Sequence, residues 1–531
     1  MLICFVIRTI IPYQGCTRLW RTSHRSPCNM SWLYIPICVR LRSKHETETY
    51  SGIHLVYVDN EIVVDERTHF IYHGSDISDY QIYVSTPQLG SHEVIRWYEV
   101  SQVYTRPVFS SHKDPLYDCL KFALENGFNL FPLNTFKGNS LVESVQLVEL
   151  SLKQIFNAET KNDFSPFTYS RPNSDFVTVR SFPFSESNAS MFADFRSTGS
   201  VALLLESNGK NYGCLSDLRY LDNMAGGVVT LADNSVTGLV LGNLRKLNGD
   251  GDLTVFLSWE SILSRLSLHV KPNRNLLRLS GESDKMSPVM LVRIKKGSES
   301  ISWGSCVKLT DLVIVTNLHV VRPLLEEKGV IGEIVAHNSA ITVEYSDVKV
   351  PFNELDLAFI MLSDTMNSML LFVAPAIIGS SLFASENKLV TSVGYGLFMN
   401  SKIPLPLSSR GYISALKTTY AFRLDAMIPT MTISSSSCWN GSSGGGIFNV
   451  RGELIGIICS NAQVYIPSIE SKKMSGTEKV SLFCLSIPIE LVLKCLRIVD
   501  QSLDASLQQN AKDLWNLETR TTDIYDRDLK L

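Results

Sequence analysis

Apolar and polar residues alternate with a period of two in short runs through most of the chain. The clearest runs are residues 53–58, 62–64, 177–179, 228–241, 307–315, 341–345 and 452–459. Successive side chains of a strand point to opposite faces, so this alternation predicts half-buried strands. The runs are rich in β-branched residues and punctuated by Gly, Asn, Asp and Ser, the pattern of antiparallel barrels or sandwiches. A helical period is confined to residues 142–156, 488–499 and 115–125, which predicts three short helices. Residues 271–288 are polar with a proline near each end and are expected to be a linker. The polar tail 501–531, mixed in charge, is expected to extend the last helix or to fray.

The alternation repeats itself. Residues 223–243, NMAGGVVTLADNSVTGLVLGN, superpose without a gap on residues 441–461, GSSGGGIFNVRGELIGIICSN. One constant offset brings Gly226 onto Gly444, Gly227 onto Gly445, Gly238 onto Gly456 and Asn243 onto Asn461, with Val229, Leu239 and Val240 on apolar residues. The segment TVFLSWESIL that follows the first copy parallels LFCLSIPIEL after the second. A strand–turn–strand unit with a closing strand and helix therefore occurs twice.

Composition narrows the class. The 531 residues are 45% hydrophobic and 19% charged, with a formal net charge of −3, which excludes a disordered or collagenous chain. No basic excess exists to neutralise phosphates, so no nucleic acid partner is expected. The length allows several compact units. The 11 cysteines form no CxxC pair and several sit in apolar runs, so they read as buried free thiols of a reducing compartment and no metal site is expected. No apolar run is long enough to span a bilayer. Residues 1–45 contain no Asp or Glu but are rich in Arg. That composition resembles a mitochondrial presequence, and a basic leading arm or a misassigned start are the alternatives.

The chemistry concentrates in the second copy. Ser443 stands in the run Ser442-Ser443-Gly444-Gly445-Gly446, which leads directly into a hairpin around Arg451-Gly452. A flexible Ser/Gly linker does not run straight into a buried hairpin. Glycines beside a serine permit unusual backbone angles and close approach of a substrate, and adjacent amides can face a developing oxyanion. A serine needs a base. His319 ends the apolar strand of VIVTNLHVV, and Asp356 opens another in NELDLAFIML, where a carboxylate can orient an imidazole. Taken singly, His319 is equally a structural histidine and Asp356 a cap; the three motifs in this order make the combination.

TNLHVV, ELDLAFI and GSSGGGIFN followed by GELIGI resemble the His, Asp and Ser motifs of trypsin-like serine proteases, and within them the Deg/HtrA branch. The resemblance covers about residues 285–500. In that branch the chain is similar to the proteases that process leader peptides in peroxisomes; the ICSNA stretch, Cys438 before the serine motif and a long divergent N-terminal half carry this likeness. It implies an all-β fold of tandem chymotrypsin-like double β-barrels, the first degenerate, with short helices at the ends. The expected division is a basic arm 1–45, a degenerate trypsin-like domain 46–270, a linker 271–288, an active serine protease domain 289–500 and a tail 501–531. Carried over by position, Ser443 is the nucleophile, His319 the general base and Asp356 its orienting acid, with no cofactor and no metal. The amides of Gly441 and Ser443 form the oxyanion hole. Ser437 lies at the base of the primary specificity pocket, and because it is not acidic a small, weakly polar P1 residue is expected. The family points to cleavage beside a cysteine. Cys484, Leu485 and Ser486 are expected to pair with the substrate backbone.

The sequence departs from secreted trypsins in having Ser442 where they carry Asp and Val320 where they carry a disulfide cysteine. Both departures favour an intracellular enzyme. In the first copy Ala225 falls where Ser443 stands, no TNxH motif precedes it, and Asp175 only weakly echoes Asp356. That half is expected to be inactive and to pack on the active unit, bind substrate or drive homo-oligomerisation. The expected partners are peptide and protein substrates, namely peroxisomal matrix enzymes with cleavable leaders. The terminal Lys530-Leu531 partly matches a peroxisomal address, whereas the acid-free N-terminus suits a mitochondrion. A mitochondrial quality-control protease and a non-catalytic scaffold are the alternative readings.

Overall fold

A computed structural model describes residues 30–515 apart from 60–61, 75, 87–96, 101, 110–113, 133–143, 152–162, 173–175, 189–190, 267–286, 338, 383–387, 399–404, 422–425, 468–473 and 501–504. The described chain is mostly β, and its four large sheets come in two matching pairs. One member of each pair is an antiparallel half-barrel. In sheet order the first half-barrel runs Tyr98–Glu99, Gln81–Ser85, Met30–Arg42, Thr47–Asp59, Ile62–His73, Val145–Ser151, Gln102–Pro107. Its counterpart runs Ser339–Val343, Val330–Ala336, Val289–Lys296, Glu299–Lys308, Val313–Thr316, Ala358–Met361, Val348–Lys349. In both, the chain visits these places in the rank order fifth, fourth, first, second, third, seventh, sixth.

The other members are rings of six strands. The second-half barrel is closed by Leu389–Gly394, Leu407–Ala421, Ala426–Ser434, Cys484–Pro488, Leu454–Ser460 and Gly446–Asn449. In the first half the same circuit is made by Phe176–Ser181, Phe195–Ser207, Lys210–Ser216, Gly251–Ser258, Val236–Arg245 and Val228–Thr230, whose last strand pairs with both neighbours. The duplication seen over some 20 residues of sequence thus extends to the whole tandem double-barrel fold.

Two expectations of local structure are corrected. Residues 142–156 were expected to form a helix, but Val145–Ser151 is a strand between Ile62–His73 and Gln102–Pro107. Its two faces enter different cores, Val145 and Leu147 one and Val148 and Leu150 another; the period of two wins over a short helical match. The basic arm does not extend to residue 45. Met30–Arg42 pairs with Thr47–Asp59 along its whole length, and Ile35, Ile37, Val39 and Leu41 are buried. Residues 1–29 and most of the expected linker lie outside the described residues.

The helices at 115–125 and 489–500 form as expected. In the tail Ala505–Trp515 is a helix that buries Ala511 in the core of the second half and packs Trp515 against it. The eight cysteines among the described residues are free, and all but Cys119 and Cys459 are buried. No described helix is long and apolar enough to cross a membrane.

Candidate active site

The strand Val313–Thr316 is buried throughout and passes through the extended residue Asn317 into the helix Leu318–Glu326. That helix turns Val320, Val321 and Leu324 into the core and leaves His319 on the open side. The strand Ala358–Met361 pairs with it in a register that sets Thr316 against Ala358. Asp356, just before Ala358, therefore arrives beside His319. Its Oδ2 lies 2.6 Å from His319 Nδ1, its Oδ1 accepts the His319 backbone N–H at 2.8 Å, and Asn317 Nδ2 donates to its carbonyl at 2.8 Å. Burial pushes the Asp356 carboxyl upward, but the hydrogen bonds and charge of His319 outweigh it and hold the group below the ordinary aspartate value.

The tail helix anchors the loop that carries Asp356. Trp515 Nε1 donates to Glu354 O at 3.1 Å, Lys512 pairs with the Glu354 carboxylate at 2.9 Å, and Gln508 donates to Pro351 O at 3.0 Å. Nothing in the polar composition of the tail signals this role.

Ser443 sits on a turn between Asn440 and the strand Gly446–Asn449. Gly441 has φ +91° and Gly444 φ +84°. A Cβ on Gly441 would lie 1.6 Å from the Trp303 ring, and one on Gly444 2.0 Å from Ser305 O, so only glycine fits either place. The turn is bonded onto the half-barrel that carries His319: Ser305 N donates to Ser443 O at 2.7 Å and Ser305 Oγ to Gly441 O at 2.7 Å. Leu397 N donates to Asn440 O at 2.8 Å. Because a trans peptide is planar, the Gly441 N–H points the opposite way. Neither it nor the Ser443 N–H has an acceptor among the described residues, which leaves two adjacent donors for an oxyanion.

Cys459 links the parts. The Ser443 hydroxyl donates to Cys459 O at 3.4 Å, and the Cys459 thiol faces Asp356 Oδ2 at 3.7 Å. Burial, reinforced by that carboxylate, pushes this thiol up to about 12. Cys459 thus stands between Ser443 and the His319–Asp356 pair, and no hydrogen bond joins the Ser443 hydroxyl to His319 among the described residues.

Ser437 borders, with Cys438, Trp439 and Asn461, a small cleft of about 10 Å³, room for a single water. Cys484, Leu485 and Ser486 do not face the substrate with a free edge, which corrects that expectation. Their strand is bonded on both sides, Ser486 standing between Thr432 and Ile458, and Cys484 is fully buried. A strand whose N–H and C=O groups are used in two ladders cannot add a third. The open edge belongs to the end of the neighbouring strand: beyond Ile458 the run Cys459–Asn461 has Leu485 on one side and no ladder partner on the other among the described residues. Sequence reasoning missed it, although it continues directly from the GELIGI hairpin.

The first copy keeps the turn and loses the chemistry. Asn223 (φ +68°) and Gly226 (φ +82°) repeat the angles of Gly441 and Gly444, and Ser51 N donates to Ala225 O at 2.9 Å as Ser305 does to Ser443. Counting along the paired strands from Ser51 puts His73 at the place of His319. A histidine equivalent exists after all, without the TNxH motif. It is buried, its Nε2 is 2.6 Å from Leu241 O, and burial pushes it down to about 4. Asp175 lies outside the described residues.

Fold and site define the second half as a trypsin-like peptidase domain. Residues 304–457, which contain His319, Asp356 and Ser443, match the family described as trypsin-like peptidase domain, and the chain is a serine endopeptidase. No curated protein matches it in sequence. Similar solved structures include Deg5 (17% identity over 40% of this chain and 88% of that chain, TM-score 0.28). They also include the HtrA-type protease AlgW with tripeptide (19%, 42% and 62%, 0.28) and the serine endoprotease from Yersinia pestis (19%, 41% and 62%, 0.27). The chain therefore spans about three fifths of the length of the latter two.

Proposed function

We propose that this chain is a Deg/HtrA-related processing endopeptidase that removes leader peptides from proteins imported into peroxisomes. The observation that carries the catalytic part is the His319–Asp356 pair, bonded through ring and backbone, beside a Ser443 turn with two unbonded amides. Ser443 Oγ attacks the scissile carbonyl while His319 Nε2 takes its proton. The Gly441 and Ser443 amides hold the oxyanion, and Asp356 keeps the proton of Nδ1 in place. The protonated imidazole then gives its proton to the leaving amine, and water hydrolyses the acyl-enzyme by the same route in reverse.

The substrate reading rests on Ser437, which puts no acid at the pocket base and so favours a small, weakly polar P1 residue, and on the family's preference for cleavage beside cysteine. The second reading is a mitochondrial quality-control protease of broad specificity. Fluorophosphonate labelling of wild type beside Ser443→Ala, together with peptides carrying cysteine at the scissile position, tests both. Labelling lost in the variant with cutting beside cysteine supports the processing enzyme. Labelling with unselective cutting supports the second reading, and no labelling refutes both.

A further inference from the structure

The degenerate half reaches the turn of Ser443 at three places. At the first, the loop that joins strands Val236–Arg245 and Gly251–Ser258 lies against Trp439 and Asn440. Asp250, only 2% exposed, accepts from Asn440 Nδ2 at 2.7 Å, and its other oxygen faces Lys479 Nζ at 3.4 Å. Lys479 Nζ also donates to Asn440 Oδ1, so both ends of the Asn440 amide are held. Trp439 Nε1 donates to Gly251 O at 2.8 Å. At the second, buried Asp217 accepts from the Ser409 hydroxyl, whose oxygen accepts the backbone N–H of Ser437 at 2.7 Å. At the third, Leu397, whose amide holds Asn440 O, shares a core with the first half, and its neighbour Phe398 packs on Phe122 and Phe128 at 6.3 and 6.1 Å between ring centroids. The cleft beside Ser437 and Trp439 has Gly249, Asp250 and Gly251 as part of its wall.

We infer that the inactive half is a built-in positioning element of the active site, and that Asp250 is the positioning residue through which it sets Asn440, the Gly441 amide and the wall of the primary pocket. The inference rests on the reading of Ser443 as nucleophile and Gly441 as oxyanion donor. Asp250 touches no reacting atom. It acts by fixing the side chain that immediately precedes Gly441, while Leu397 fixes the carbonyl of the same peptide. Lys479 neutralises its carboxylate, so an acid in the pocket wall does not create a site for basic P1 residues. An oxyanion donor displaced by even about 1 Å costs roughly a hundredfold in rate.

The test compares full-length wild type, Asp250→Ala, Asp250→Asn and Val179→Ala by the second-order rate of fluorophosphonate labelling, by kcat and KM on a cysteine-P1 peptide and by melting temperature. Val179 is buried in a first-half core that includes none of Asp217, Asp250, Gly251, Leu397 and Phe398, and controls for destabilisation alone. Asp250→Ala is expected to slow labelling by roughly 10- to 100-fold, with the loss mainly in kcat. Asp250→Asn, whose carbonyl still accepts from Asn440 while its NH2 opposes Lys479 Nζ, is expected to slow labelling less than Asp250→Ala does. Val179→Ala is expected to lower the melting temperature and leave the labelling rate unchanged. If Asp250→Ala does not fold, Asn440→Ala cuts the same link from the exposed side and is expected to give the same loss. Wild-type labelling rates in the folded Asp250→Ala or Asn440→Ala variant overturn the inference and leave the Ser443 reading intact. Absence of Ser443 labelling in wild type overturns that reading and this inference with it.

Discussion

Replacing Asp356 by Asn isolates what the carboxylate does. Asp356 accepts twice from His319, at 2.6 Å from the ring and 2.8 Å from the backbone. An amide has one acceptor and one donor end. If its NH2 faces the backbone N–H, two donors oppose each other; the carbonyl therefore stays on the backbone and the NH2 turns to Nδ1. A donor at Nδ1 selects the tautomer with the proton on Nε2, where it blocks acceptance of the Ser443 proton. The expected loss in kcat is about 10⁴-fold, or about 5 kcal/mol of barrier. The fold survives, because Asn317 bonds the backbone carbonyl of residue 356 and not its side chain. The folded-state pKa of Asp356 is lowered, so its contribution to stability is present above the ordinary aspartate value and lost as pH falls through the lowered one. The gap in melting temperature between wild type and Asp356→Asn should accordingly close at strongly acidic pH. Peptide cleavage at neutral pH measures the first, and thermal melting by circular dichroism, followed from neutral pH down to about 2, measures the second and verifies folding. A folded Asp356→Asn enzyme within about tenfold of wild-type kcat would refute the tautomer argument.

Gly444→Ala must place a Cβ 2.0 Å from Ser305 O at φ +84°, so thermal melting should show a loss of at least about 1–2 kcal/mol, accompanied by slower labelling of Ser443. The Cys459 thiol, pushed up to about 12, should stay unalkylated by iodoacetamide at pH 7.5 on intact-mass analysis while fluorophosphonate still reacts; rapid modification there would contradict its environment. Ala225→Ser in a Ser443→Ala background should restore no labelling, because His73 is buried and its Nε2 already engaged by Leu241 O.

The candidate site is legible in the chain as far as its parts are local motifs. The glycines at 441 and 444 announce positive φ, and an apolar strand ending in Thr-Asn-Leu-His announces a histidine at a barrel rim. The failures have a common cause. Whether residues 459–461 or 484–486 offer a free edge depends on which strand has neighbours on both sides, and both segments read as apolar strands. Residues 145–151 match a helical period over a short window, and only the partners at 62–73 and 102–107 select the strand. His73 lacks its motif because the strand Ile62–His73 continues to it, whereas Val313–Thr316 stops and a helix carries His319.

By itself the sequence determined the all-β class, the duplication, the alanine that stands in the first copy where the second has Ser443, and the three candidate residues in serine-peptidase order. These follow from side-chain period and from backbone angles that only glycine accepts, which are properties of short stretches. The tertiary structure decided which strand keeps a free edge, the anchoring of the Asp356 loop by the tail helix and the reach of the first half to Asn440. The Asn440–Asp250 contact spans 190 residues of chain. Which polar groups meet across such a distance is set by how two barrels pack, and no local pattern of apolar and polar residues encodes it.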